Sequence, residues 1–143
     1  MAQNTPSDYL ADRVALQDVM LNYAAGVDER DFERYRNCFA EDVEVLDFGS
    51  ETIRGVDAWV TYVREALEAY GATQHMLGPQ FATIAGDVAQ TRSDVQALHY
   101  MIDKPDTTLT LWATYETEMT RVNGQWKISR HRLVPRGTRV QSG

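Results

Sequence analysis

Tyr23-Ala24-Ala25-Gly26-Val27-Asp28 closes a segment in which Leu10, Val14, Leu16, Val19, Met20, Tyr23, Ala24 and Val27 recur at spacings of three and four. That is the period of a helix with one buried face. Ser7 and Asp8 are both residue types that cap helices, and Gly26 marks the expected end, with Asp28 in the final turn or just beyond it. A carboxylate one residue after an apolar position there points into whatever the rest of the chain encloses. Asp28 is therefore a candidate base, and its partners must come from downstream.

Beyond it, Asp31 caps a short second helix whose Phe32, Tyr35, Cys38 and Phe39 pack back on the first. Val43–Phe48 alternates as a strand does, with Gly49-Ser50 as the turn to Thr52-Ile53. Gly55-Val56-Asp57 opens a third helix carrying Trp59, Val60, Val63, Leu67 and Tyr70, stopped by Gly71. The character then changes. Thr73–Ile84, Val88–Ile102, Thr107–Val122 and Gln125–Val134 read as four long strands, separated by Gly86-Asp87, Lys104-Pro105-Asp106 and Asn123-Gly124. Asn-Gly is the strongest hairpin signal of the three. Helices followed by hairpin-linked strands give an α+β fold, with the helices laid on one face of an antiparallel sheet. One domain over residues 8–135 is expected, with 1–7 and 136–143 as terminal tails to which no function is assigned.

A chain of 143 residues suits a single domain that buries roughly 68–70% of its extended-chain surface. The lone Cys38 excludes an intramolecular disulfide and is expected in the core. No run approaches the roughly 18 apolar residues of a membrane span, and the first residues lack the basic flank of a signal peptide. A cytoplasmic protein is the expectation. No membrane partner is expected either, and a formal net charge of −7 repels a phosphate backbone, so nucleic acid is not expected as partner. Trp59, Trp112 and Trp126 are expected in the core or a pocket wall.

The three histidines, His75, His99 and His131, all fall within expected strands, where each must face either solvent or the helices. His99 shares its register with Ala89, Thr91, Ser93, Val95, Ala97 and Met101. His75 shares one with Leu77, Phe81 and Thr83. His131 goes with Leu133 but also with Lys127, and a bulge would reverse its side. An interior histidine can be a hydrogen-bonded core residue, and an aspartate after a glycine can be a helix terminator. Together, an inward carboxylate and inward imidazoles suggest more: a neutral imidazole bonded to Asp28 is held in one tautomer, its other nitrogen free to act as a base. No HExxH spacing suggests a metal, and no GxSxG, Walker or GxGxxG pattern suggests a serine nucleophile, nucleotide or dinucleotide, so no cofactor is expected.

The order of Tyr23-Ala24-Ala25-Gly26-Val27-Asp28, Phe39-Ala40-Glu41-Asp42-Val43, Gly55, His75, Gly86-Asp87-Val88-Ala89 and Asn123-Gly124-Gln125-Trp126-Lys127-Ile128-Ser129-Arg130 resembles the SnoaL-like branch of the NTF2-like superfamily, over about residues 8–135. The resemblance implies a cone: a strongly curved sheet wrapped around helices, with a deep apolar pocket between them. Within that superfamily the chain is similar to the scytalone dehydratase, hexachlorocyclohexane dehydrochlorinase and bile-acid 7α-dehydratase types, cofactor-free enzymes built on an Asp–His pair.

By that resemblance Asp28 is the pocket aspartate, His75 the catalytic histidine, Tyr23 the helical tyrosine of the bile-acid type and His99 the second histidine of the scytalone type. His131 or its neighbour Arg130 falls where the dehydrochlorinase type has an arginine. That type carries a lysine on its first helix where Tyr23 stands, which favours loss of water over loss of halide. The implied activity is that of a dehydratase-type lyase on a hydrophobic, ring-bearing small molecule, with Tyr23 and His99 as donors to substrate oxygen. An isomerase or cyclase using the same base, and a non-catalytic pocket protein or small subunit, are the alternatives. A homodimer or homotrimer is implied as well.

Overall fold

The computed structural model describes residues 5–143. The expected lead is shorter than seven residues: Thr5 is the N-cap of helix α1 (Pro6–Asp28), its hydroxyl accepting from the Asp8 amide while the Asp8 carboxylate accepts from the Thr5 amide. Asp8 thus completes a capping box rather than standing outside the helix. Residues 1–4 of the lead lie outside the described residues. The face of α1 that enters the core carries Leu16, Met20, Tyr23, Ala24 and Val27. Leu10 and Val14 are 64% and 59% exposed, so the apolar stripe begins a turn and a half later than the spacing suggested. Asp12 anchors the outer half of α1, accepting from Arg121 and from the Trp126 indole.

Gly26 does not end the helix. It lies within α1, where a Cβ would sit 2.9 Å from both the Cβ and the backbone nitrogen of Tyr35 in helix α2 (Phe32–Arg36). The glycine lets the two helices touch. Gly26→Ala is expected to lower the denaturation midpoint: the overlap is with backbone that cannot rotate away, at a cost of about 1–3 kcal/mol, which outweighs the gain of up to about 1 kcal/mol from alanine's helix propensity. Urea denaturation checks it.

Strand β1 (Phe39–Leu46) follows, taking up Phe39, which the sequence placed in the second helix. After β2 (Ile53–Arg54), helix α3 (Val56–Ala66) and a 3-10 turn (Leu67–Ala69) lead into β3 (Tyr70–Leu77), β4 (Phe81–Ala85), β5 (Val88–Met101), β6 (Thr107–Val122) and β7 (Gln125–Ser142). The strand order is β2-β1-β7-β6-β5-β3, with β4 also on β5. All pairs are antiparallel except β1 with β7, which is parallel. Asn123 and Gly124 take φ of 51° and 78°, as a two-residue hairpin turn of type I′ requires.

Three departures from the sequence reading decide the site. Gly78-Pro79-Gln80 splits the expected strand 73–84, so Phe81 and Thr83 face outward although His75 faces in. Ser129 is an extra residue in β7: Met119 pairs with Ile128 but Glu118 with Arg130. That bulge shifts the phase and brings Trp126, Ile128, His131 and Leu133 to the inner face. Finally, residues 137–142 are no loose tail. They pair with 107–112 after a second irregularity at Pro135-Arg136, and Thr138 helps enclose the interior.

The core lies between α1, α2 and α3 and the inner face of the curved sheet, around Leu16, Tyr35, Val43, Trp59, Met119 and Ile128. Trp59 and Trp126 are buried as expected. Trp112 is on the other face of β6 and is 38% exposed. Cys38 is buried, and burial pushes its thiol up to about 12. Among the described residues no helix is long and apolar enough to cross a membrane.

Candidate active site

Asp28 is the last residue of α1, so its side chain leaves the helix where the next strand passes. That strand is β3, and it meets the carboxylate three times. Asp28 Oδ1 accepts from His75 Nδ1 at 2.8 Å and from Thr73 Oγ1 at 2.9 Å, and Oδ2 accepts from the His75 backbone amide at 2.8 Å. Thr73 and His75 are two apart on a strand and so share a face. Burial alone would raise the Asp28 carboxyl, but the hydrogen bonds from the His75 ring, the His75 amide and Thr73 outweigh it and hold it below the usual carboxylate range. The carboxylate stays charged because its lone pairs are used.

A carboxylate can only accept, so His75 Nδ1 carries the hydrogen of this contact and Nε2 is the ring nitrogen turned away from Asp28. His75 lines a cavity of about 290 Å³ under the helices, whose walls, His99 and Thr138 apart, are otherwise aromatic and aliphatic, among them Trp59, Tyr70, Leu111 and Leu133. The carboxylate sits behind the ring. The imidazole is therefore the polar group that the pair shows to the cavity.

His99 also lines the cavity, its ring edge-on to His75 with centroids 5.8 Å apart. Its Nδ1 lies 3.1 Å from the Leu109 carbonyl oxygen. Since that oxygen is an acceptor, Nδ1 again carries the hydrogen. Burial, ahead of the opposing bond to Leu109, lowers the His99 ring below its ordinary value. A neutral His99 thus offers Nε2 as an acceptor. It is not the donor that the sequence reading assigned.

His131 is fully buried behind Tyr23, its Nε2 3.0 Å from the tyrosine hydroxyl and its Nδ1 2.9 Å from Thr117 Oγ1. Burial lowers its ring to about 3, so it is neutral. Tyr23, Tyr115 and Tyr35 crowd together beside it, and burial raises all three phenols, keeping them protonated. If Thr117 donates to Nδ1, Nε2–H donates to Tyr23 and the Tyr23 hydroxyl keeps its own hydrogen free for a neighbour or a ligand.

The low value for His131 carries a sign. Its folded value lies below the unfolded value of about 6.5, so the unfolded chain takes up a proton first as pH falls. The stability it supports is complete above about pH 6.5 and drains down to about pH 3. His131→Gln is expected to flatten that acid-side loss. Urea midpoints of both proteins at about pH 7.5 and about pH 5 measure it, and equal slopes would refute it.

Arg130 is the residue the structure removes. The bulge at Ser129 turns it to the outer face, where its Nε lies 3.3 Å from Glu44 Oε1. Reasoning from sequence missed Thr73, although its place two residues before His75 was a usable signal, and it missed Arg30, whose guanidinium meets Thr73. Among the described residues, no three of His, Cys, Asp or Glu gather as a metal would need.

The chain matches the SnoaL-like domain over residues 8–132. No curated protein matches it by sequence. Among solved structures, a type 2 hexachlorocyclohexane dehydrochlorinase superposes with a TM-score of 0.88 at 24% identity, covering 97% of this chain and 95% of that one. The type 3 enzyme from Novosphingobium barchaimii gives 0.87 at 23%, covering 97% and 96%. A protein provisionally named scytalone dehydratase from Novosphingobium aromaticivorans gives 0.84 at 24%, covering 94% and 93%. At such identities these likenesses establish the fold. With nearly the whole chain matched, from the first turn of α1 into β7, the protein belongs to the SnoaL-like domain family.

Proposed function

We propose that the protein is a cofactor-independent lyase of the dehydratase type, acting on a neutral, hydrophobic, ring-bearing small molecule. One observation carries this reading: His75 is fixed by Asp28 through Nδ1 while its ring borders an apolar cavity. A base in such a place takes a proton from carbon beside a carbonyl, and the C–H electron pair becomes the new double bond as the β C–O bond breaks. The proton on His75 then passes to the departing oxygen, which leaves as water. Asp28 stabilises the transient imidazolium. Tyr23 donates to the carbonyl oxygen as it gains charge, backed by His131, and His99 accepts from a substrate hydroxyl.

Similarity to dehydrochlorinases and to a protein named as a dehydratase agrees with elimination. Among the described residues, the cavity walls include no lysine or arginine, which suits a neutral ligand better than an anionic one. The test is incubation with a panel of cyclic β-hydroxy carbonyl compounds without added cofactor, products read by mass spectrometry and NMR. Loss of one water is expected. An isomerised or cyclised product would keep the base and change the reaction, whereas saturable binding without any product would leave a ligand carrier.

A further inference from the structure

The backbone just past α1 closes in a Schellman motif. The Asp31 amide donates to the Gly26 carbonyl at 2.9 Å and the Arg30 amide to that of Val27 at 3.1 Å. The residue between, Arg30, takes the left-handed φ of 56°, a place where glycine is usual because a side chain there is strained. Arginine at this position needs a reason from its side chain.

The guanidinium supplies one. Arg30 Nη1 donates to the Val27 carbonyl at 2.7 Å and to Thr73 Oγ1 at 2.9 Å, and Nη2 donates to the Gly71 carbonyl at 2.6 Å. One planar fork therefore ties the end of α1 to the first half of β3. It also sets a polarity. Because Thr73 Oγ1 accepts from Arg30, its own hydrogen is turned toward Asp28 Oδ1. The same oxygen takes the His75 Nδ1 hydrogen.

We infer that Arg30 is a positioning residue for the Asp28–His75 pair, acting through Thr73 to fix the carboxylate and with it the His75 tautomer. This rests on the reading of Asp28 and His75 as the working pair. Lysine cannot replace the arginine, since a point charge on a flexible stem does not span three acceptors in two elements. Valine at 73 keeps the shape and loses the relay, whereas serine keeps the hydroxyl.

The test reads the His75 ring directly, by long-range 1H–15N correlation and by the far-downfield Nδ1 proton, in protein labelled at histidine. In the parent a single Nδ1–H tautomer is expected. In Arg30→Ala, Arg30→Lys and Thr73→Val the downfield proton is expected to vanish and the two tautomers to mix, while Thr73→Ser restores the parent spectrum. Arg30→Gly removes the fork but also the left-handed strain, so it remains informative if Arg30→Ala does not fold. A folded Arg30→Gly or Thr73→Val protein that keeps one Nδ1–H tautomer would overturn the role of Arg30. Asp28→Ala, which removes both acceptor oxygens, separates the two ideas: if it too leaves the tautomer intact, the pair itself is not coupled, and the proposed base loses its support.

Discussion

Alanine in place of His75 is expected to lower turnover of an eliminated substrate by about 10²–10⁴-fold, with kcat falling and the far-UV spectrum unchanged. The ring borders the cavity, 9% exposed, between the Asp28 carboxylate and the edge of the His99 ring, so its loss removes a proton acceptor and the ring partner of Asp28. Asp28→Asn is expected to fall in the same direction for a different reason. Asp28 uses both oxygens as acceptors, from Thr73 and the His75 ring on one side and the His75 amide on the other. An amide has one oxygen, so one of its N–H groups must face a donor. Stability should drop by about 1–3 kcal/mol along with activity, and His75→Ala, which takes one donor from the Asp28 carboxylate, should lose stability as well. Steady-state kinetics and urea denaturation on the same two variants separate the effects. Turnover unchanged in both would rule out the mechanism.

Trp59→Ala is expected to cost about 3–5 kcal/mol of stability. The indole is 1% exposed, meets Phe39 and Phe48 edge-on, and donates to the Tyr35 hydroxyl at 3.1 Å. Truncation widens the cavity it already borders and leaves Tyr35 without that donor beside Tyr23. Domains of this size are stable by about 5–15 kcal/mol, so the variant should be marginal, with the melting temperature lower by about 10 °C or more. Trp59→Phe keeps most of the ring area and should fall much less. Thermal denaturation gives the comparison, and a variant melting with the parent would mean that the aromatic layer beneath α3 is not what holds the cavity shut.

Beneath both predictions lies a division between what local pattern carries and what it does not. The period of α1, the helical spacing in α3, the alternation along β5 and the Asn123-Gly124 turn are each written within a few residues, because they reflect dihedral preference and which side of one element is apolar. They fixed the α+β class and placed Asp28, His75 and His99 facing inward. The resemblance of the motifs then pointed to the cone and to the Asp28–His75 contact.

Other features leave no such mark. A single extra residue at Ser129 sends His131 inward and Arg130 out, and the residues on either side would suit an unbroken strand equally well. The left-handed turn at Arg30 exists because a guanidinium finds acceptors more than forty positions away. The parallel pairing of β1 with β7 and the continuation of β7 to Ser142 depend on which edges remain open once the sheet has curled. The sequence by itself determined the class, most of the elements and the inward faces of α3 and β5, and the motif resemblance named the aspartate and the histidine that meet. Only the tertiary structure decided register, handedness at the helix end and the tautomers, because those depend on hydrogen bonds between groups that the chain brings together last.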